Sequence, residues 1–227
     1  DHHEYEADVV VAGADYHHVE SKLLPPKYQS YSASYWDKRK MAPSSLLFYI
    51  GVNKKLKNVN HHNLFFDEDF TPHAKDIYEH KRWPDKPLFY LSVTSKTDPG
   101  VAPEGCENLF VLIPVAPDLE DNEEIRERYY DIVMDRMEEL TGQSIRDAVV
   151  YKKSYAHNDF VKDYNAFKGN AYGLANTLMQ TAILKPSLKS KKLNNLYYTG
   201  QLTIPGPGVP PSLISGAVVA KEVMKAD

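Results

Sequence analysis

The chain has 227 residues, and its 27 lysines and arginines against 31 aspartates and glutamates give a formal net charge of −4. This near balance provides no basic stripe for nucleic acid, and a hydrophobic share of 42% is typical of a globular protein rather than a disordered one. A single cysteine, Cys106, excludes a disulfide framework and favours a reducing, cytoplasmic compartment, while the lack of an apolar run of about 18 residues argues against a membrane-spanning helix.

The N-terminal end predicts a strand followed by a helix. Residues 7–14 form an apolar run after a charged lead-in, which is typical of a strand buried on both faces of a parallel sheet. Asp15 is placed to cap a helix from about Tyr16 to Leu24, which Pro25 ends. This order indicates part of an α/β nucleotide-binding domain, although no G-x-G-x-x-G fingerprint occurs in the chain. Because the chain starts without methionine and almost at once enters a strand, we expect a fragment of a longer protein.

The middle of the chain is dominated by predicted strands. After a polar stretch at residues 29–41, expected to be a loop or a short irregular helix, four β-favouring runs follow within about 70 residues. Turn residues separate these runs and leave little room for long helices, so they indicate a mixed, largely antiparallel sheet. The runs are residues 44–52, 63–66, 87–95 and 108–115.

A long helix is predicted near the end of this region. Asp121 or Asn122 can cap its start, and Gly142 occupies the position expected of a C-terminal cap. Apolar residues recur between them at three- and four-residue spacing, which predicts one buried face. A strand over residues 148–155 and a short helix from Asn158 follow. The apolar residues of the long helix are Ile125, Tyr129, Ile132, Val133, Met137 and Leu140.

The most distinctive stretch is residues 196–216. Its first four residues favour a strand, and a stiff turn rich in glycine and proline follows. Pro210 and Pro211 suit the first turn of a helix, and the small residues Ser215 and Gly216 would let that helix lie close to a neighbour. A strand that leads into a helix N-terminus is a potential site for an anion or a dipole. On the residues alone, a proline-rich connector explains the same pattern equally well.

Three segments, in chain order, match a known set of signatures. Residues 7–15 are similar to the pattern ADVVVSNAD, and residues 169–174 with Gln180 and Lys185 are similar to G-x-x-Y-G-L…Q…R-P, with lysine in place of arginine. Residues 195–210 resemble N-L-Y-x-x-G-x-x-T-x-P-G-x-G-x-P. Together they resemble the C-terminal half of the bacterial-type phytoene desaturases, a branch of the flavin amine-oxidase superfamily. Gln201, Leu202 and Pro211 depart from the usual family pattern.

The resemblance implies an α+β (α/β) protein with a mixed, largely antiparallel sheet in a substrate-binding domain at residues 29–168. Residues 1–28 and 169–227 would then be strand and helix pieces of a Rossmann-type FAD-binding domain whose first half lies outside the chain. The implied cofactor is FAD, and the implied substrate is an apolar carotenoid. Neither a catalytic residue nor a metal site is predicted, and the implied FAD contacts are Gly200, Thr203, Pro205, Gly206, Gly208, Val209, Pro210, Pro211 and Ser212.

The implied activity is desaturation of phytoene or a related C40 carotenoid, with the fragment alone inactive. Because such substrates reside in lipid, peripheral membrane association of a cytoplasmic enzyme is expected. Two alternatives stay open at this point. One is another task within the superfamily, as in a carotenoid isomerase or an amine oxidase, and the other is a non-catalytic module that binds an apolar ligand.

Overall fold

The computed structural model describes residues 3–225, which divide into two compact units. The first unit contains the chain up to Ala42 and from Val161 onward, and the second contains Pro43–Phe160. The functional roles assigned to residues 1–28, 29–168 and 169–227 remain predictions. The strands are β1 (Val10–Ala12), β2 (Ser44–Val52), β3 (His62–Phe65), β4 (Phe89–Ser92), β5 (Glu107–Val115), β6 (Val149–Tyr155) and β7 (Leu196–Tyr198). The α-helices are α1 (Tyr16–His18, continued by a π-helical turn over Val19–Leu23), α2 (Ala33–Asp37), α3 (Phe70–Lys75), α4 (Glu123–Thr141), α5 (His157–Tyr164) and α6 (Val209–Met224).

The second unit is built on a five-stranded sheet in the order β3-β4-β5-β2-β6. Every neighbouring pair is antiparallel, which confirms the predicted sheet. Side chains alternate along β5, so that Leu109, Val111 and Ile113 are buried while the residues between them are partly exposed. One face of the sheet therefore forms the core of the unit, and the other is only partly covered.

Helix α4 supplies residues to this core. The Asn122 side chain accepts a hydrogen bond from the Ile125 N–H at 2.9 Å, and Gly142 ends the helix in a left-handed conformation, as predicted. Tyr129, Val133 and Met137 are buried in the same hydrophobic cluster as the sheet residues. Leu140 was expected on this face but is 51% exposed. Its position is taken by Thr141, because a step of four residues from Met137 keeps to the same side of a helix.

A buried histidine joins α3 to the sheet. His73 accepts a hydrogen bond at Nδ1 from the Leu88 N–H at 2.9 Å, so its Nε2 carries the proton and donates to the Pro114 carbonyl at 2.7 Å. Burial lowers the pKa of His73 below the ordinary value of about 6.5. The native hydrogen bonds therefore require the neutral form of the His73 imidazole.

This histidine predicts a loss of stability in mild acid. The unfolded chain binds a proton at a pH near 6.5, whereas folded His73 binds one only at lower pH, so acidification through this range favours unfolding. We expect the free energy of unfolding, measured by urea titration, to fall between pH 7 and pH 5. A His73→Gln variant should be less stable at pH 7 but should lose less over this range. His3→Gln, at an exposed position, should follow the wild type, and an unchanged pH dependence in His73→Gln would contradict the assignment.

In the first unit, β1 and β7 pair in parallel, with Val10 opposite Leu196 and Ala12 opposite Tyr198. The expectation that the apolar run would be buried on both faces is wrong for the described chain, since Val10 and Val11 are about half exposed. Strand β1 has only one neighbouring strand among the described residues, which leaves much of its surface open.

Aromatic side chains form the core of the first unit. Tyr16 follows the cap residue Asp15 and stacks on Tyr198 with ring centroids 3.7 Å apart, and Trp36 of α2 packs against Tyr16 at 5.6 Å. The buried carboxylate of Glu20 accepts hydrogen bonds from the Tyr198 hydroxyl at 2.7 Å and from the Tyr31 N–H at 3.0 Å. These contacts fix the end of β7, from which the candidate site begins.

Candidate functional site

Strand β7 runs into a glycine- and proline-rich turn at residues 199–208, which leads directly into α6. Gly200 has a φ of +98°, and its carbonyl accepts hydrogen bonds from the Thr203 N–H at 3.0 Å and the Thr203 hydroxyl at 2.7 Å. Thr203 is fully buried. The polar groups of Gly200 and Thr203 thus hold the turn together, and direct contact of these residues with a flavin stays a prediction.

A buried serine of α6 fastens the turn to the helix. The Gly200 N–H donates to Ser215 Oγ at 3.0 Å, and the Ser215 hydroxyl donates to the Ser212 carbonyl at 2.7 Å. Ser215 was predicted only as a small residue that permits close packing, so sequence reasoning missed its polar role. Gly216 does not mark a close approach, because a Cβ placed there would meet nothing within 4 Å.

The N-terminus of α6 has only two free backbone N–H groups among the described residues. Pro210 and Pro211 have no N–H, and the Ser212 N–H is bonded to the Gly208 carbonyl at 3.0 Å. The N–H groups of Gly208 and Val209 remain, and neither has a hydrogen-bond partner within residues 3–225. Both residues are exposed, so these two amides are the donors that an approaching anionic group would meet first.

A second segment of the family signature packs directly on this turn. The buried Asn170 side chain accepts hydrogen bonds at Oδ1 from the Gly173 N–H at 2.7 Å and from Gln201 Nε2 at 3.2 Å. Gly173 has a φ of +74°, and a Cβ placed there would lie 2.7 Å from the Gln201 carbonyl oxygen. The two segments therefore meet backbone to backbone, and only glycine fits at the point of contact.

The rest of that segment places a lysine beside the turn. Gln180 first anchors the chain, because its side-chain amide accepts from the Lys40 N–H at 2.9 Å and donates to the Lys40 carbonyl at 2.8 Å. Lys185 is 5% exposed, and its Nζ has no hydrogen-bond partner in the described chain. A Cβ placed on Gly206 would lie 3.1 Å from this Nζ. Burial lowers the pKa of the Lys185 ammonium.

The predicted FAD contacts thus lie in one continuous segment of the chain, formed by the turn and the first residues of α6. Within it Thr203 and Gly206 are buried, whereas Pro205, Val209 and Pro210 are exposed. Three residues that organise this segment were absent from the predicted contact set: Asn170, Lys185 and Ser215. Among the described residues, no group of three or more histidine, cysteine, aspartate or glutamate side chains could hold a metal ion.

The family model described as flavin containing amine oxidoreductase matches residues 1–224. A carotenoid 3,4-desaturase from Haloarcula japonica is 46% identical over 218 residues, which are 96% of this chain and 44% of that protein. A zeta-carotene-forming phytoene desaturase from Myxococcus xanthus is 32% identical over 226 residues, which are 96% of this chain and 42% of that protein. The chain therefore spans less than half the length of these relatives.

The fold is also found in a solved structure. The crystal structure of an oxidoreductase from Methanosarcina mazei superposes with a TM-score of 0.56 over 96% of this chain and 43% of that one. The identity between the two sequences is 15%, so this similarity concerns the fold alone.

Proposed function

Since this chain belongs to the flavin containing amine oxidoreductase family, we propose that it is the C-terminal half of an FAD-dependent enzyme that desaturates phytoene or a related C40 carotenoid. The observation that carries the proposal is the convergence of the three signature segments at one place. Strand β1 pairs with β7, and residues 169–174 and Lys185 lie against the turn that follows β7. The carotenoid desaturases among the relatives support the choice of substrate class.

The residues present fit a flavin. Gly208 and Val209 are exposed and offer N–H donors at the positive end of α6. The buried, unpartnered ammonium of Lys185 lies against Gly206 and adds a positive charge to the turn that precedes α6. When bound, FAD would supply the oxidising chemistry that removes hydrogen from the substrate. The chain's own part is to hold and orient the ring and to favour negative charge on it.

The partly exposed face of the five-stranded sheet provides a surface for the polyene. Tyr49 on β2 lies opposite Phe110 on β5 with ring centroids 5.4 Å apart, and Tyr90 on β4 lies opposite Leu112. These side chains alternate with the buried core residues of the same strands. An apolar, aromatic surface of this kind matches a long hydrocarbon, and we assign the carotenoid to it.

Apolar surface elsewhere supports a larger protein. Val10 and Val11 on β1 and Leu213 and Ile214 on α6 are each about half exposed or more. These exposed apolar side chains lie on the two elements that flank the turn region, and we infer that the first half of the FAD-binding domain packs on them. Within residues 3–225, the structure holds no helix of the length and apolarity needed to cross a bilayer. We propose, because such a substrate resides in lipid, that the complete enzyme takes up its carotenoid through peripheral contact with the membrane.

The test uses the complete protein that contains this chain. We expect it to purify with an oxidised flavin spectrum, to release FAD on denaturation, and to convert phytoene or a more unsaturated acyclic C40 carotenoid into a product two hydrogens lighter per step. The isolated 227-residue chain should bind FAD weakly or not at all. A product of unchanged mass would indicate isomerisation instead, and a protein that purifies and functions without flavin would refute the proposal.

A further inference from the structure

The two most exposed large apolar side chains of the described chain lie on one short segment of the first unit, residues 175–184, which we call the apolar loop. Leu178 and Ile183 are 90% and 91% exposed, and Met179 between them is 73% exposed. Single apolar residues are ordinary on a protein surface, but side chains with nearly all of their area in water stand clear of the body of the protein. The apolar loop therefore projects from the first unit.

The fold holds the apolar loop in this projecting form. Two short 3₁₀ helices, Leu178–Gln180 and Ala182–Leu184, shape its backbone. The Gln180 side chain between them is buried, and its amide bonds to both backbone groups of Lys40 and donates to the Ala175 carbonyl at 3.2 Å. The middle of the apolar loop is thus fastened to the polypeptide at residue 40, and the exposed side chains flank this anchor.

Basic residues lie at the base of the apolar loop. Residues 38–40 are three consecutive basic residues, of which Lys38 and Lys40 are exposed. Asp37 precedes them, so the local charge is still positive, and residues 169–184 contain no charged residue. An uncharged apolar projection with lysines at its base has the charge pattern of a segment that enters the headgroup region of an anionic bilayer.

The apolar loop differs from the apolar surface that we assign to the first half of the FAD-binding domain. Val10, Val11 and Ile214 are each about half exposed, so these side chains lie within the surfaces of β1 and α6. A protein partner packs on such surfaces by complementary shape, whereas a fluid bilayer accepts side chains that project. Projection and the neighbouring positive charge together favour lipid as the partner of the apolar loop.

We propose that the apolar loop inserts Leu178, Met179 and Ile183 into the interface of an anionic membrane, while Lys38 and Lys40 contact the lipid headgroups. The inference rests on the proposed function, since a carotenoid dissolved in lipid has to be taken up from a bilayer. It assigns the peripheral contact to one segment of the chain. Because this segment lies outside the predicted FAD contacts, vesicle binding and flavin content are separate measurements.

Sedimentation of the complete protein with lipid vesicles tests the assignment. Leu178→Ser combined with Ile183→Ser should weaken binding to vesicles of equal parts phosphatidylcholine and phosphatidylglycerol by about tenfold or more. Lys38→Gln combined with Lys40→Gln should weaken binding to these vesicles by about tenfold and should not change binding to phosphatidylcholine alone. Val150→Ser, at a position of β6 that is 65% exposed, is the matched control with no expected change.

A polarity-sensitive dye on the apolar loop distinguishes lipid from protein as its partner. Ile183→Cys in a Cys106→Ser background provides a single thiol for the dye, because Cys106 is the only cysteine of the chain. We expect emission typical of water for the complete protein alone and a blue shift when the anionic vesicles are added. The same dye at Val150→Cys should show no shift.

Each outcome decides the inference. Emission that is already blue-shifted without vesicles means that the apolar loop packs on protein, and it overturns the inference. Vesicle binding without a shift at residue 183, or no vesicle binding at all, also overturns it, and the flavin and the desaturase activity then test the proposed function separately. A protein without flavin that still shows the blue shift overturns the proposed function alone. Where the double serine variant is less stable to urea than the wild type, the dye measurement decides.

Discussion

Replacement of Gly173 by alanine is expected to lower the free energy of unfolding by about 2–5 kcal/mol and to reduce the flavin content of the complete protein. The backbone at Gly173 has a φ of +74°, which an L side chain adopts at a cost, and a Cβ there would lie 2.7 Å from the Gln201 carbonyl oxygen. The added Cβ would clash with the backbone carbonyl group of Gln201, so rotation of a flexible side chain cannot relieve the clash. The turn would have to move away from the loop at residues 169–174.

The measurement for this variant is urea unfolding together with the flavin content of the purified protein. Gly105→Ala is the matched control, because Gly105 has a similar φ of +76° but a Cβ there would meet nothing within 4 Å. The control should lose only about 1 kcal/mol and should keep its flavin. Equal effects of the two substitutions would show that the close approach of Gly173 to Gln201 is unimportant and that only the backbone conformation matters.

Local patterns in the sequence predict much of the fold for a physical reason. The caps at Asn122 and Gly142 depend on residues within one turn of the helix end, so the sequence alone is enough to place α4. The alternation along β5 likewise records which side chains face the core. The exposure of β1 was not predictable in this way. An apolar run indicates that a strand tends to be buried, but it does not indicate which other part of the protein covers it.

The candidate site was less predictable because its contacts join distant parts of the chain. The turn itself was found from its glycines and prolines, which restrict the local backbone. The partners of that turn lie elsewhere, since Asn170 contacts Gln201 and Lys185 lies beside Gly206. Lys185 was noted only as a departure from the usual arginine, and no pattern in one sequence reveals that its ammonium is buried without a partner.

Substitution of Arg126 by methionine is expected to destabilise the second unit by about 3–5 kcal/mol, which is a large part of the 5–15 kcal/mol, roughly, that stabilises a typical domain. Arg126 on α4 donates two hydrogen bonds to the Asp121 carboxylate, at 2.7 and 2.6 Å, and a third to Asp159 at 2.7 Å. Although burial raises the pKa of Asp121, the hydrogen bonds from Arg126 and the Asn158 N–H bring it below its ordinary value. The Asp121 side chain is fully buried, so loss of Arg126 would leave an ionised carboxylate without its cation.

We expect the loss of stability to depend on how deeply the ion pair is buried and not on the number of ion pairs. A second arginine provides the test. Arg146 also binds two carboxylates of α4, Asp131 and Asp135, but all three side chains are more than a third exposed. Arg146→Met should therefore cost at most about 1 kcal/mol in the same urea titration. Adding Asp121→Leu to Arg126→Met should recover part of the lost stability, because it removes the stranded charge. Equal losses in the two arginine variants would contradict the view that desolvation of Asp121 makes the Arg126 pair essential to the fold.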